Sequence, residues 1–129
     1  MKQLILAIAI AAGFSNAAVA NDALKAVLVG AQRSPANVAR DAARHPYETL
    51  SFFGIHPKMT VVELAPGGGW YTEILAPYLR KDGKLIAAAN DPASASAYSR
   101  KSFANFKQKL DASPSIYDQV ALGVFEPPA

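Results

Sequence analysis

The stretch VVELAPGGGWYTEIL, Val61 to Leu75, constrains the chain more than any other. A short β-branched run meets three consecutive glycines, and helix-spaced apolar residues follow at once. Thr60 to Leu64 has the composition of a buried parallel strand. Tyr71, Ile74, Leu75, Tyr78 and Leu79 fall at i, i+3, i+4, i+7 and i+8, which is one face of a helix. Glu73 lies off that stripe, so it is expected in solvent. Glycine permits a sharp backbone turn and admits a ligand where a Cβ would stand. A strand–glycine–helix junction therefore aims main-chain N–H groups and a positive helix end at one edge of a sheet.

The flanking sequence extends the pattern. Asp22 to Ala31 and Ala36 to Arg44 read as helices, interrupted by Arg33-Ser34-Pro35. A third helix is expected from Pro46, with Tyr47, Leu50 and Phe53 in register and Gly54 as its stop. Pro77 should tighten or kink the helix after the glycines. Leu85 to Ala89 is a second strand. Ala95 to Leu110 is a helix with Phe103, Phe106 and Leu110 on its apolar stripe, and Asp111-Ala112-Ser113-Pro114 breaks it. Gln119 to Phe125 is a third strand. Helices followed by β-α-β-α-β predict an α/β fold with a parallel sheet.

The first twenty residues stand apart. Lys2, an apolar core from Leu4 to Ala12, and the ending Ala18-Val19-Ala20 form the pattern of a secretory signal peptide. The run is too short for a bilayer span. Cleavage after Ala20 would leave about 109 residues in the periplasm or outside the cell, with no stable membrane span. The chain has no cysteine, so disulfide frameworks, thiolate zinc sites and cysteine nucleophiles are excluded. Its formal charge is +3. The basic residues are scattered, with no run dense enough to indicate nucleic-acid binding.

Three uses of a glycine loop can be set against the residues. A phosphate-cradling P-loop needs Lys and then Ser or Thr after its last glycine; Trp70 and Tyr71 stand there. A dinucleotide fingerprint needs a third glycine where Thr72 lies. The third use fits best. Glu63-Leu64-Ala65-Pro66-Gly67-Gly68-Gly69 resembles the first motif of class I S-adenosylmethionine-dependent methyltransferases. The wider stretch from ARHPYETLSFFGIHPKMTVVELAPGGGWYTEILAPYLRKDGKLIAA to FEPPA is similar to a family of predicted exported bacterial methyltransferases.

That resemblance implies a Rossmann-like, three-layer fold, of which only the first three strands can be read here. It divides the chain into a signal peptide (1–20), an N-terminal helical segment (21–59) and the first half of the domain (60–129), ending on Glu126-Pro127-Pro128-Ala129 as a truncated chain would. It implies S-adenosylmethionine as cofactor and methyl donor, with the acceptor unidentified. By the resemblance, Glu63 orients the glycine loop or meets the methionine ammonium, and Gly67 and Gly69, with Gly68 between them, let the loop pass the ligand. Ala65 stands where the motif has its first glycine. The acid that grips the ribose hydroxyls would align with Ala89, and Asp91 follows two residues later, as a displaced ribose ligand or a helix cap. No residue is assignable as a general base. The alternatives are a non-catalytic fragment and a module for another adenosine ligand.

His45 and His56 lie eleven apart, each beside a proline, and are expected in polar loop or capping roles, with His45 a possible pocket residue; zinc needs three or four ligands. Trp70 is off the helical stripe, as a pocket wall or as packing. Phe103 and Phe106 are expected in the core. Ser51, Ser99 and Ser102 lack a nucleophile-elbow context.

Overall fold

The computed structural model of the chain describes residues 22–125. The expected signal peptide and the last four residues lie outside the described residues. No helix among the described residues is long and apolar enough to cross a membrane. Residues 22–28 form helix α1. Three short helices follow: α2 (Pro35–Val38), α3 (Asp41–Arg44) and α4 (Pro46–Phe52). Then come β1 (Thr60–Leu64), α5 (Thr72–Leu79), β2 (Lys84–Ala89), α6 (Ala97–Ala112), α7 (Pro114–Tyr117) and β3 (Ala121–Val124). The three strands form a parallel sheet in the order β1-β2-β3. The molecule is thus mixed α/β, and the alternation legible in the sequence is the alternation it builds.

Three elements depart from the sequence-based expectation. The helix expected from Ala36 to Arg44 is two helices. The Asn37 carbonyl accepts from the Arg40 N–H at 3.1 Å and from the Trp70 indole at 2.9 Å, so the first turn tightens instead of continuing. Helix α1 ends three residues before Ala31, where the Gly30 N–H folds back on the Val27 carbonyl. Pro114 starts α7 instead of only ending α6, its fixed φ suiting the first helical position.

Strand β1 alternates. Val61 and Glu63 share one sheet face with Leu85, Ala87 and Ala89, their register neighbours or continuation on β2. That face is covered. Leu24 of α1, Leu50 of α4, Trp70, Ile74, Leu75, Leu79, Phe106, Leu110 and Tyr117 pack with it in one core. Phe106 sits in the core as expected, and Phe103 packs against its border. On the opposite face Val62 and Leu64 are 53% and 59% exposed. The described residues therefore make two layers, helices on sheet, where the resemblance implies three.

Helix α5 is buried nearly all round, not along one stripe. The sheet lies on one side and the N-terminal segment on the other. Glu73, expected in solvent, has no exposed surface. Its carboxylate takes Lys109 Nζ at 2.5 Å and the Ser34 N–H at 3.1 Å, and Arg33 Nε lies 3.5 Å away. Arg33 in turn grips Asp41 through Nη1 and Nη2 at 3.1 and 2.8 Å. The apolar stripe of α5 marks only the side that meets the sheet, and its second buried side is partly polar. Pro77 deprives the Glu73 carbonyl of its helical donor. The side-chain amide of Gln32 supplies one at 3.1 Å, from 41 residues upstream.

Candidate functional site

The glycine loop leaves β1 at the carboxyl end of the sheet. The Ala65 N–H still bonds the Ala88 carbonyl of β2 at 2.9 Å, and Ala65 then turns into the left-handed region at φ 50°. Gly67 and Gly69 also have positive φ, 55° and 78°. The Gly69 N–H closes a tight turn on the Pro66 carbonyl at 2.8 Å, with Gly67 and Gly68 at its centre. Positive φ at the first central residue alone is the type II′ pattern, which glycine fills without strain. The Gly69 carbonyl next accepts from the Glu73 N–H at 3.0 Å, which leads the chain into α5.

The three glycines do different work. A Cβ on Gly68 would meet nothing within 4 Å, and on Gly67 only its own loop's Ala65 carbonyl, at 4.0 Å. A Cβ on Gly69 would stand 3.0 Å from Lys109 Cε and 3.4 Å from the Phe106 ring. Gly67 and Gly68 thus face open space, whereas Gly69 lets α6 close on the loop. Among the described residues nothing accepts a hydrogen bond from the Gly67 or Gly68 N–H. The turn presents those donors outward.

Glu63 lies beneath this turn on the covered face and is 9% exposed. Its Oε2 accepts from the Thr72 hydroxyl at 2.7 Å. The bond spans the loop, from the penultimate residue of β1 to the first residue of α5. Burial pushes its carboxyl above the usual range, and the hydrogen bonds from Thr72 offset part of that rise.

Asp91 lies on the same sheet edge, two residues past β2. Its Oδ1 accepts from the Ala93 N–H at 2.8 Å and its carbonyl from the Ser94 N–H at 3.1 Å. This is a local turn, not a helix cap. The cap of α6 is Ser96, whose hydroxyl accepts from the Ser99 N–H at 3.3 Å. The capping alternative for Asp91 is therefore corrected: Ser96 sits one position before the helix and Asp91 does not. Ala89, where the ribose acid would align, ends β2 as a buried core residue.

Trp70 is a packing residue, 3% exposed. Its indole bond to Asn37 pins α2 to the loop, and the guanidinium groups of Arg44 and Arg33 lie 4.8 and 5.8 Å from its ring. The sequence contained no signal for this docking, because all three partners are 26 or more residues upstream. His45 is exposed and sits at φ 46°, joining α3 to α4. His56 accepts the Lys58 N–H on Nδ1 at 3.3 Å, a loop role. Among the described residues no three His, Asp or Glu side chains gather as a metal site. A separate groove of about 650 Å³ is lined by Leu28, Val29, Gly30, Arg33, Pro35, Val38 and Ala39, none of them a candidate site residue.

The chain matches no family model, no curated protein and no solved structure.

Proposed function

We propose that the carboxyl edge of the sheet binds an adenosine-type ligand, S-adenosylmethionine, and that the chain is the first half of a Rossmann-like methyltransferase domain. The observation that carries this reading is the outward Gly67–Gly68 turn at the tip of β1, with free main-chain donors and no side chain over it. Asp91 follows the neighbouring strand on the same edge, where a carboxylate can accept from ribose hydroxyls. Glu63 shapes the turn from below through Thr72. Methyl transfer rests mainly on holding a nucleophile in line with the sulfonium methyl. The chain's own part is to hold the donor; the acceptor is unassigned. The signal-peptide pattern adds export to the proposal, and the mass of the mature amino terminus tests it.

Titration calorimetry with S-adenosylmethionine and S-adenosylhomocysteine tests the reading. Gly68→Val is the decisive variant, because its side chain enters open space and leaves the fold intact. We expect wild type to bind and Gly68→Val to lose at least tenfold in affinity with an unchanged melting temperature. Equal binding by both proteins rejects the site. Binding of NAD but not of the sulfonium compound moves the assignment to another adenosine ligand. The bare sheet face at Val62 and Leu64 favours a second reading, a half-domain that binds without catalysis; ligand binding with no methyl transfer to any acceptor supports it.

A further inference from the structure

We propose that Lys109 is a positioning residue for the glycine turn: it clamps Gly69 between α6 and α5 and so fixes the direction of the Gly67 and Gly68 N–H donors. Its value to a ligand rests on the function proposed above; the clamp itself does not. Gly69 is the fixed end of the turn. Its N–H closes on the Pro66 carbonyl at 2.8 Å, and its carbonyl accepts from the Glu73 N–H at 3.0 Å. Lys109 reaches the same two residues from α6. Its Cδ and Cε would stand 3.2 and 3.0 Å from a Cβ on Gly69, so its stem lies along the side of the glycine that has no Cβ. Its Nζ goes on to Glu73 Oε1 at 2.5 Å. Glu73 thus holds Gly69 by its main chain and Lys109 by its side chain, and the three residues form a closed triangle.

The direction this lysine takes is what makes the arrangement informative. Lys109 follows Phe106 by three positions, so both lie on the face of α6 that meets the loop. A lysine beside a core aromatic ordinarily turns its ammonium out to water. Here the side chain is 26% exposed and the ammonium turns inward, to a carboxylate with no exposed surface. Lys107 on the same helix shows the ordinary case, pairing with Asp111 at the surface. On Glu73 the Ser34 N–H and Arg33 approach Oε2, and Lys109 takes Oε1. Glycines have the most backbone freedom to lose. Ordering a single residue on binding lowers affinity about tenfold. A clamp at the third glycine removes part of that loss before the ligand arrives.

Amide hydrogen exchange in the ligand-free chain, followed by calorimetry, is the test. The quantity read is the exchange rate of the Gly69 amide relative to that of Ala65, whose N–H bonds Ala88 across the sheet at 2.9 Å and reports the strand. A loss of overall stability alone does not raise that ratio. Lys109→Met keeps the stem and removes the charge. It should raise the ratio about tenfold and weaken S-adenosylmethionine binding by a similar factor. Lys109→Arg, which can still pair with Glu73, should restore both. Lys107→Met should change neither. Lys109→Gln, milder because its amide can donate, should raise the ratio by a smaller step, and it serves if the methionine variant does not fold. An unchanged ratio in the Met and Gln variants, an equal rise in Lys107→Met, or no recovery in Lys109→Arg would overturn the clamp. A raised ratio with undiminished binding would overturn the positioning role. If wild type binds no S-adenosylmethionine, the function proposed above fails, and the exchange ratios still decide the clamp.

Discussion

Ala65 holds a backbone conformation that costs an L-residue about 1–2 kcal/mol and a glycine almost nothing. The position asks for glycine and has alanine. Glycine carries its own penalty of roughly 0.5–1 kcal/mol in the unfolded chain, so the two effects partly cancel. Ala65→Gly is expected to stabilise the protein by up to about 1 kcal/mol, read as a higher urea midpoint at unchanged slope. A lower midpoint would mean that the Ala65 methyl contributes packing that outweighs the strain. The triplet beside it was legible in the sequence as a glycine loop, and its conformation agrees. What the letters could not show was the division among three identical residues. Whether a Cβ meets space or Lys109 depends on α6, whose arrival is a tertiary event.

At the scale of elements, α5 shows why a periodic stripe is an incomplete guide. Its start, its proline and its apolar positions were all readable. Its second buried side was not, because the residues that cover it, Gln32, Arg33, Ser34 and Asn37, form no pattern of their own. Gln32 bridges the Val27 carbonyl at 2.8 Å and the Glu73 carbonyl that Pro77 leaves without a donor. Gln32→Ala is expected to cost about 1–3 kcal/mol, the range for a buried polar group stripped of its partner. The same change in a Pro77→Ala background should cost about 1 kcal/mol less, since the restored N–H at 77 serves the Glu73 carbonyl. Equal costs in the two backgrounds would place the whole effect of Gln32 at Val27. The strands were read more closely than the helices: β1 matched at both ends, whereas a four-residue helix such as α2 or α3 has too short a period to declare itself.

For the whole molecule, two buried carboxylates set opposite pH dependences. Burial raises the Glu73 carboxyl, but the hydrogen bonds from Lys109, Ser34 and Asn37 outweigh it and hold the group below the usual carboxylate range. A lowered folded value means that its stabilisation is present above the ordinary range and is lost as pH falls through the folded value. Glu63, raised by burial, works the other way. The folded state takes up its proton first, so its charge is a burden above the folded value and the burden lifts as pH falls through it. Melting temperatures of Glu63→Gln and Glu73→Gln against pH should therefore diverge. Glu63→Gln should melt above wild type at neutral pH, because the amide oxygen still accepts from Thr72, and the gap should narrow in acid. Glu73→Gln should melt well below wild type at neutral pH, with Arg33 and Lys109 left facing a neutral group, and its deficit should shrink at the acid end. Matching profiles would mean that the two side chains share an environment.

The order of manufacture gives the Gln32 bond a further meaning. A ribosome releases residue 32 well before residue 77, so the amide that mends the proline gap exists while the gap does not. The early helices have little to rest on until β1, α5 and β2 have emerged. Maturation of this chain should thus finish at its beginning: the last protected amides to appear in a refolding experiment should be those of residues 22–40, not those of the sheet.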